Sequence, residues 1–118
     1  MSALGVTKMP AGLNPFVEPF EWKRLAASVA GDFGITFDEL LNGKRFRKCV
    51  HARAIVAHFL AERGWSAVQI GRRLNTDHSN ILHHRQRLPI YLGYYPEVYY
   101  SHRRHTALRD MAQERLAA

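Results

Sequence analysis

The sequence predicts an all-α fold, a small helical cluster that contains a helix-turn-helix and carries a C-terminal helical extension. Three observations lead there. Apolar residues recur with the helical period, at Trp22, Leu25, Ala26, Val29 and Ala30 and again at Val50, Ala54, Ile55, Ala57, Phe59 and Leu60. Two Ser/Thr-x-x-Glu/Gln boxes, Thr36 with Glu39 and Ser66 with Gln69, mark helix starts, because each side chain satisfies the other residue's unpaired amide. Finally, a short helix from Ser66 closes at Leu74 and Asn75, and Thr76-Asp77-His78-Ser79-Asn80-Ile81-Leu82-His83 reads as a cap followed by polar side chains aimed outward from a first turn. Two short helices about a tight polar turn form a helix-turn-helix, whose second helix presents its tip to the floor of a DNA groove.

Taken in order, residues 1–14 combine small residues, glycines and Pro10 with little periodicity, which reads as a flexible lead-in. Pro15 and Pro19 punctuate an aromatic stretch before the first helix, Glu21 to Ala30, which Gly31 and Gly34 close. Thr36 caps a short second helix with Leu40 and Leu41 as its apolar pair, and Asn42-Gly43 breaks the chain before the basic run Lys44-Arg45-Phe46-Arg47-Lys48. A central core helix is expected from about Cys49 to Arg63, with Gly64 as its stop. The second helix of the helix-turn-helix runs from about His78 to Arg87, with Ile81 and Leu82 turned inward and Pro89 ending it. Residues 89–96 read as an aromatic connector, and Glu97 to Leu116 as a last helix using Val98, Leu108, Met111 and Leu116. The expected organisation is thus a lead-in, a helical DNA-binding domain over residues 15–88, and a connector with its helix over 89–118.

Charge points the same way. The chain carries a formal +7, and residues 42–88 concentrate it: Lys44, Arg45, Arg47, Lys48, Arg53, Arg63, Arg72, Arg73, Arg85 and Arg87 stand against only Glu62 and Asp77. A basic block that coincides with a helix-turn-helix pattern is the electrostatic footprint of a phosphate-binding face. At 118 residues and 47% hydrophobic content, the chain is sized for one compact domain plus an extension. A single cysteine and the lack of a leader or of an apolar run of some 18 residues predict a protein of a reducing cytoplasm.

This order of elements resembles the C-terminal DNA-binding domain of the bacterial replication initiator DnaA. The match extends from about Ile35 to Leu88 and includes Phe37-Asp38-Glu39-Leu40-Leu41, Lys44-Arg45-Phe46-Arg47, Ile70-Gly71 and Asp77-His78-Ser79-Asn80-Ile81-Leu82-His83. The last block is the most specific, standing where the family has Asp-His-Thr-Thr-Val-Leu-His. The resemblance implies a Trp-repressor-like helical cluster of bacterial or mobile-element origin, with base-edge contacts from Asp77, His78, Ser79 and Asn80. It also implies a minor-groove contact from Arg45 or Arg47, and phosphate contacts from Lys44, Lys48, Arg53, Ser66, Arg73, Thr76, His84 and Arg85. Asn80 replaces a threonine, exchanging a methyl suited to thymine for an amide suited to adenine N6 and N7. No Gly-x-x-x-x-Gly-Lys-Ser/Thr loop occurs in the sequence, so binding without ATP hydrolysis is expected, in a regulator of transcription or replication.

The same residues admit other readings. Seven histidines include the pairs Cys49/His51 and His102/His105, but nothing is spaced as four converging ligands, so no metal, no cofactor and no catalytic residue is expected. Of His83 and His84, adjacent on a helix, one is expected to pack near Ile55. Tyr91, Tyr94, Tyr95, Tyr99 and Tyr100 either cover the end of the core, stack on bases, or form a homodimer or protein contact through residues 89–118. The competing functional class is a protein-interaction adaptor that reuses the fold.

Overall fold

The computed structural model describes residues 14–17, 19–42 and 45–117, and among these every regular element is a helix. The order is α1 (Trp22–Asp32), α2 (Phe37–Leu41), α3 (Arg47–Glu62), α4 (Ala67–Leu74), α5 (His78–Tyr94) and α6 (Pro96–Ala117). Apart from Asn14, the expected lead-in lies outside the described residues. Asn14 is anchored: its side-chain amide donates to the Leu108 carbonyl at 2.8 Å and its Oδ1 accepts from the Phe16 amide at 2.9 Å. Phe16 is then buried edge-on against Phe59, 5.4 Å between ring centroids.

Helix α1 buries Leu25, Ala26, Val29 and Ala30, the stripe its spacing predicts, and continues through Gly31 to Asp32. Gly34 then supplies the left-handed φ of +68° that turns the chain toward α2. Both capping boxes form. Thr36 Oγ1 accepts from the Glu39 amide at 3.0 Å while Glu39 Oε1 accepts from the Thr36 amide at 2.9 Å. Ser66 and Gln69 repeat the exchange at 3.1 and 2.8 Å.

Helix α3 starts two residues earlier than its apolar pattern suggests, and it is buried on almost every side. Cys49, His51, Ala52, Arg53, Ala54, Ile55, Val56, Ala57, Phe59 and Leu60 are all inside. The polar members are accommodated individually. His51 lies between the rings of Tyr91 and Tyr95, at 4.4 and 4.5 Å, and burial lowers its pKa. Arg53 Nε donates to the Leu40 carbonyl at 3.0 Å and so ties α2 to α3.

Three expectations for the C-terminal half need correction. Pro89 does not end α5, which continues to Tyr94 and absorbs most of the expected connector. Pro89 cannot bond the Arg85 carbonyl four residues back, but both residues are exposed, so the lost hydrogen bond does not fall in the core. Meanwhile Leu88, Tyr91 and Leu92 pack on the core and hold the helix together. Leu82 is 45% exposed whereas its neighbour Ile81 is fully buried, since adjacent residues on a helix diverge by about 100°. In α6, Ala112 takes the core position expected of Met111, which is exposed.

Helix α6 is fastened to α1 by a polar clasp. Ser101 Oγ donates to Asp32 Oδ2 at 2.6 Å, and Arg104 reaches both the Asp32 carboxylate at 3.0 Å and Ser28 Oγ at 2.8 Å. At its centre His105, fully buried, has Nδ1 at 2.8 Å from the Ser101 carbonyl and Nε2 at 2.8 Å from Ser28 Oγ. A carbonyl can only accept, so Nδ1 carries the proton and Nε2 accepts from the Ser28 hydroxyl: the ring is neutral and satisfied.

Burial pushes His105 down to about 4, with the nearby Arg104 charge adding to the effect, and burial likewise brings His84 to about 4. An unfolded histidine titrates near 6.5, so between these values the unfolded chain binds more protons than the folded one. Stability is therefore complete above pH 6.5 and falls as the pH drops toward 4, by about 1.4 kcal/mol per pH unit for each histidine. Thermal unfolding followed from pH 7.5 to 4.5 should show a falling midpoint below pH 6.5, and a flat profile would count against this account.

Candidate nucleic-acid interface

Helices α4 and α5 meet at the turn Asn75-Thr76-Asp77. Asn75 caps α4 in the left-handed conformation, φ 57°, and the Thr76 amide returns to the Gly71 carbonyl at 2.9 Å. The two helices approach so closely at Gly71 that a Cβ there would lie 2.6 Å from the Thr76 carbonyl oxygen and 3.4 Å from the His78 amide nitrogen. The angle between the helices, and hence the aim of the α5 tip, depends on that missing side chain.

The tip consists of Asp77, His78, Ser79 and Asn80, all exposed. Asp77 stands at the N-cap position, but its side chain makes no capping bond to the helix amides. It accepts instead from the Ser79 hydroxyl, which holds the carboxyl below its usual value and keeps it ionised at neutral pH. His78 Nδ1 lies 3.4 Å from the other carboxylate oxygen. Asn80 Nδ2 donates to Thr76 Oγ1 at 3.1 Å, which uses one of its two amide hydrogens and leaves Oδ1 and the second hydrogen on an exposed residue. Those are the two groups a bidentate adenine contact uses.

The expected phosphate ligands divide. Lys48, Arg73 and Arg85 are exposed, as are Arg72 and Arg87 beside them. Ser66 is exposed with its hydroxyl already serving as the α4 cap, and Thr76 is half-buried. Lys44 lies outside the described residues. Two ligands stand inside the protein instead. Arg53 is 3% exposed and bonded to Leu40, and His84 packs under α3 while His83 takes the outer face. Both side chains thus lie inside the free protein, where Arg53 ties α2 to α3. Their periodicity was visible in the sequence; what hid the outcome is that α3 is buried on the face where an arginine is normally assumed to be solvated.

The basic segment before α3 sits at the opposite end of α5 from the tip. Helices α3 and α5 run antiparallel: the Arg47 guanidinium lies 5.2 Å from the Tyr95 ring centroid and His51 touches Tyr91, while His58, further along α3, feels the charge of Arg85. The 17 residues of α5 therefore separate the two candidate contact regions by about 25 Å, at ~1.5 Å per residue. Arg47 leans on Tyr95, whereas Arg45 is exposed just outside α3. Helix α3 opens with Arg47 and Lys48 in its first turn and no acidic residue there, so cations face the positive end of the helix dipole.

Of the tyrosines, Tyr91 and Tyr95 pack on the core, whereas Tyr94, Tyr99 and Tyr100 are exposed, with Arg103 donating to the Tyr99 hydroxyl at 3.1 Å. No group of three or more His, Cys, Asp and Glu among the described residues is placed to hold a metal ion, and no helix is long and apolar enough to cross a membrane.

Gly71→Ala should force the turn apart and destabilise the fold by about 1–3 kcal/mol, because the clashing atom is backbone. Gly93→Ala, within α5 and with nothing near its would-be Cβ, should instead stabilise by about 0.5–1 kcal/mol. Denaturant unfolding of the pair measures both, and a neutral Gly71→Ala would show that the turn is not constrained as described.

Among curated proteins, none matches the chain. A family model described as bacterial dnaA protein helix-turn-helix matches residues 23–88, more than half of the sequence and the whole stretch from the start of α1 to the middle of α5. With a tight helix-turn-helix, an exposed polar tip and a basic approach to α3, the chain belongs to the bacterial DnaA helix-turn-helix family of DNA-binding domains.

Proposed function

We propose that this chain binds a short double-stranded DNA site in a sequence-specific way and acts as a regulator of transcription or replication without ATPase activity. The observation that carries the reading is the α5 tip, where four exposed polar side chains stand on a turn held by the close approach at Gly71. Asp77, His78, Ser79 and Asn80 face base edges in the major groove, with the ionised Asp77 suited to cytosine N4 and Asn80 to adenine. Arg45 enters the neighbouring minor groove, and Arg47, braced on Tyr95, stays at its wall. A separation of about 25 Å along α5 suits this division, since adjacent grooves of one duplex face lie roughly half of a ~34 Å turn apart and a side chain adds several ångströms of reach. Lys48, Arg73 and Arg85, with Ser66 and Thr76, supply phosphate contacts.

Selection of bound sequences from a random duplex pool tests the reading directly. Four to six phosphate contacts predict a log-log salt slope of roughly −4 to −5 on duplex DNA. A flat salt response, or a pool that yields no preferred sequence, would favour the adaptor class.

The tip itself is tested by substitution. His78→Ala should lose specific binding while keeping nonspecific binding and an unchanged unfolding midpoint, because the side chain is exposed and the cations remain. Asn80→Thr should shift preference from adenine toward thymine at one position, by about 1–3 kcal/mol for a bidentate contact. Affinities across single-base variants of the selected site measure both, and unchanged rankings would remove the tip from base reading.

A further inference from the structure

Phe46 has no place in the core. Of the six phenylalanines, Phe16, Phe33 and Phe59 are buried and Phe20 and Phe37 pack against the core, but Phe46 is 67% exposed. Its neighbours on the chain are the exposed cations Arg45, Arg47 and Lys48. Its backbone is nonetheless well fixed. Phe46 is the N-cap residue of α3, at φ −61° and ψ 140°, and its carbonyl accepts from the Val50 amide at 3.0 Å, so it stands on the most buried helix of the protein.

The ring is flanked along the chain by three cations and lines a cavity that also holds Glu39 and Glu97, so the excess charge beside it is positive and suits a partner that offers anions on both sides of an apolar slot. A minor groove does so: phosphates line its two walls, and a partly unstacked base step accepts an apolar wedge. Resting on the DNA-binding reading above, we propose that Phe46 is a minor-groove wedge, inserting its ring at a base step beside the site read by α5 and kinking the duplex there. Arg45 accompanies the ring into the groove while Arg47 and Lys48 take phosphates at its walls. The wedge selects sequence without any hydrogen bond to a base, because pyrimidine–purine steps such as TA and CA/TG unstack at least cost. Preference at that step is therefore set by Phe46, independently of the α5 tip.

The test uses the duplex that the wild-type chain recovers from a random pool, with 2-aminopurine at the flanking step and a donor–acceptor dye pair on its ends. Wild type should raise the 2-aminopurine emission and shorten the end-to-end distance. Phe46→Ala should abolish both changes and bind about tenfold more weakly, since burial of a phenylalanine ring is lost. Its salt slope should equal that of wild type because no charge is removed, whereas Arg45→Ala should reduce the slope by about one. Phe46→Leu, still an apolar wedge, should restore most of the bend. As the side chain is exposed, thermal unfolding should be the same for all three variants. If Phe46→Ala keeps wild-type affinity, bend and emission on a duplex that wild type still binds, the wedge is overturned, the DNA reading stands, and the ring is reassigned to an acidic protein surface. Weaker binding with bend and emission unchanged also overturns it, leaving a contact with the groove wall. Recovery of no duplex by wild type overturns both readings together.

Discussion

The burial of α3 is the constraint on which the rest of the structure depends. Ten of its sixteen residues are inside, so the other helices are arranged around it and take their directions from it. Its antiparallel run with α5 sends the basic segment to one end of the molecule and the helix-turn-helix tip to the other. A helix so enclosed must also accommodate its own polar residues, which explains why Arg53 is spent on the Leu40 carbonyl and His51 on two tyrosine rings. The same packing leaves His84 Nδ1 buried without a hydrogen-bond partner among the described residues, and a neutral ring is the least costly way to keep it there.

Where the structure follows from local chemistry, the sequence announced it. Both capping boxes, the apolar stripe of α1 and the end of α4 at Asn75 depend on residues a few positions apart, and each is legible in the chain. Where the outcome depends on contacts between distant residues, local patterns misled. Pro89 is a helix breaker by its own chemistry, yet the packing of Leu88, Tyr91 and Leu92 outweighs one missing hydrogen bond that does not fall in the core. Arg53 looks like a solvated cation until α2 is laid across it. The clasp of Asp32, Ser28, Ser101, Arg104 and His105 joins residues some seventy positions apart and leaves no signature in either segment.

The candidate interface shows a similar division. Its tip was readable because a cap followed by exposed polar residues is a local statement. The exposure of Phe46 was not, since an aromatic residue beside a core helix is ordinarily taken for part of the core. Arg47 and Lys48 stand at the positive end of α3 with no acid in its first turn, and Glu39 and Glu97, which line the same cavity, offset part of that charge.

Helix α5 also works as a spacer. Because one of its ends carries the tip and the other braces Arg47 through Tyr95, its length fixes the interval between the polar tip and the basic segment before α3. Adding or deleting a single residue between Leu82 and Leu88 would slide the far end by about 1.5 Å and rotate it by about 100°. That rotation would turn the tip relative to the basic segment while leaving every residue of both unchanged. The register of the helix therefore sets the mutual orientation of tip and basic segment as firmly as the side chains set their chemistry, so substitution can alter either end separately whereas insertion within α5 alters both together.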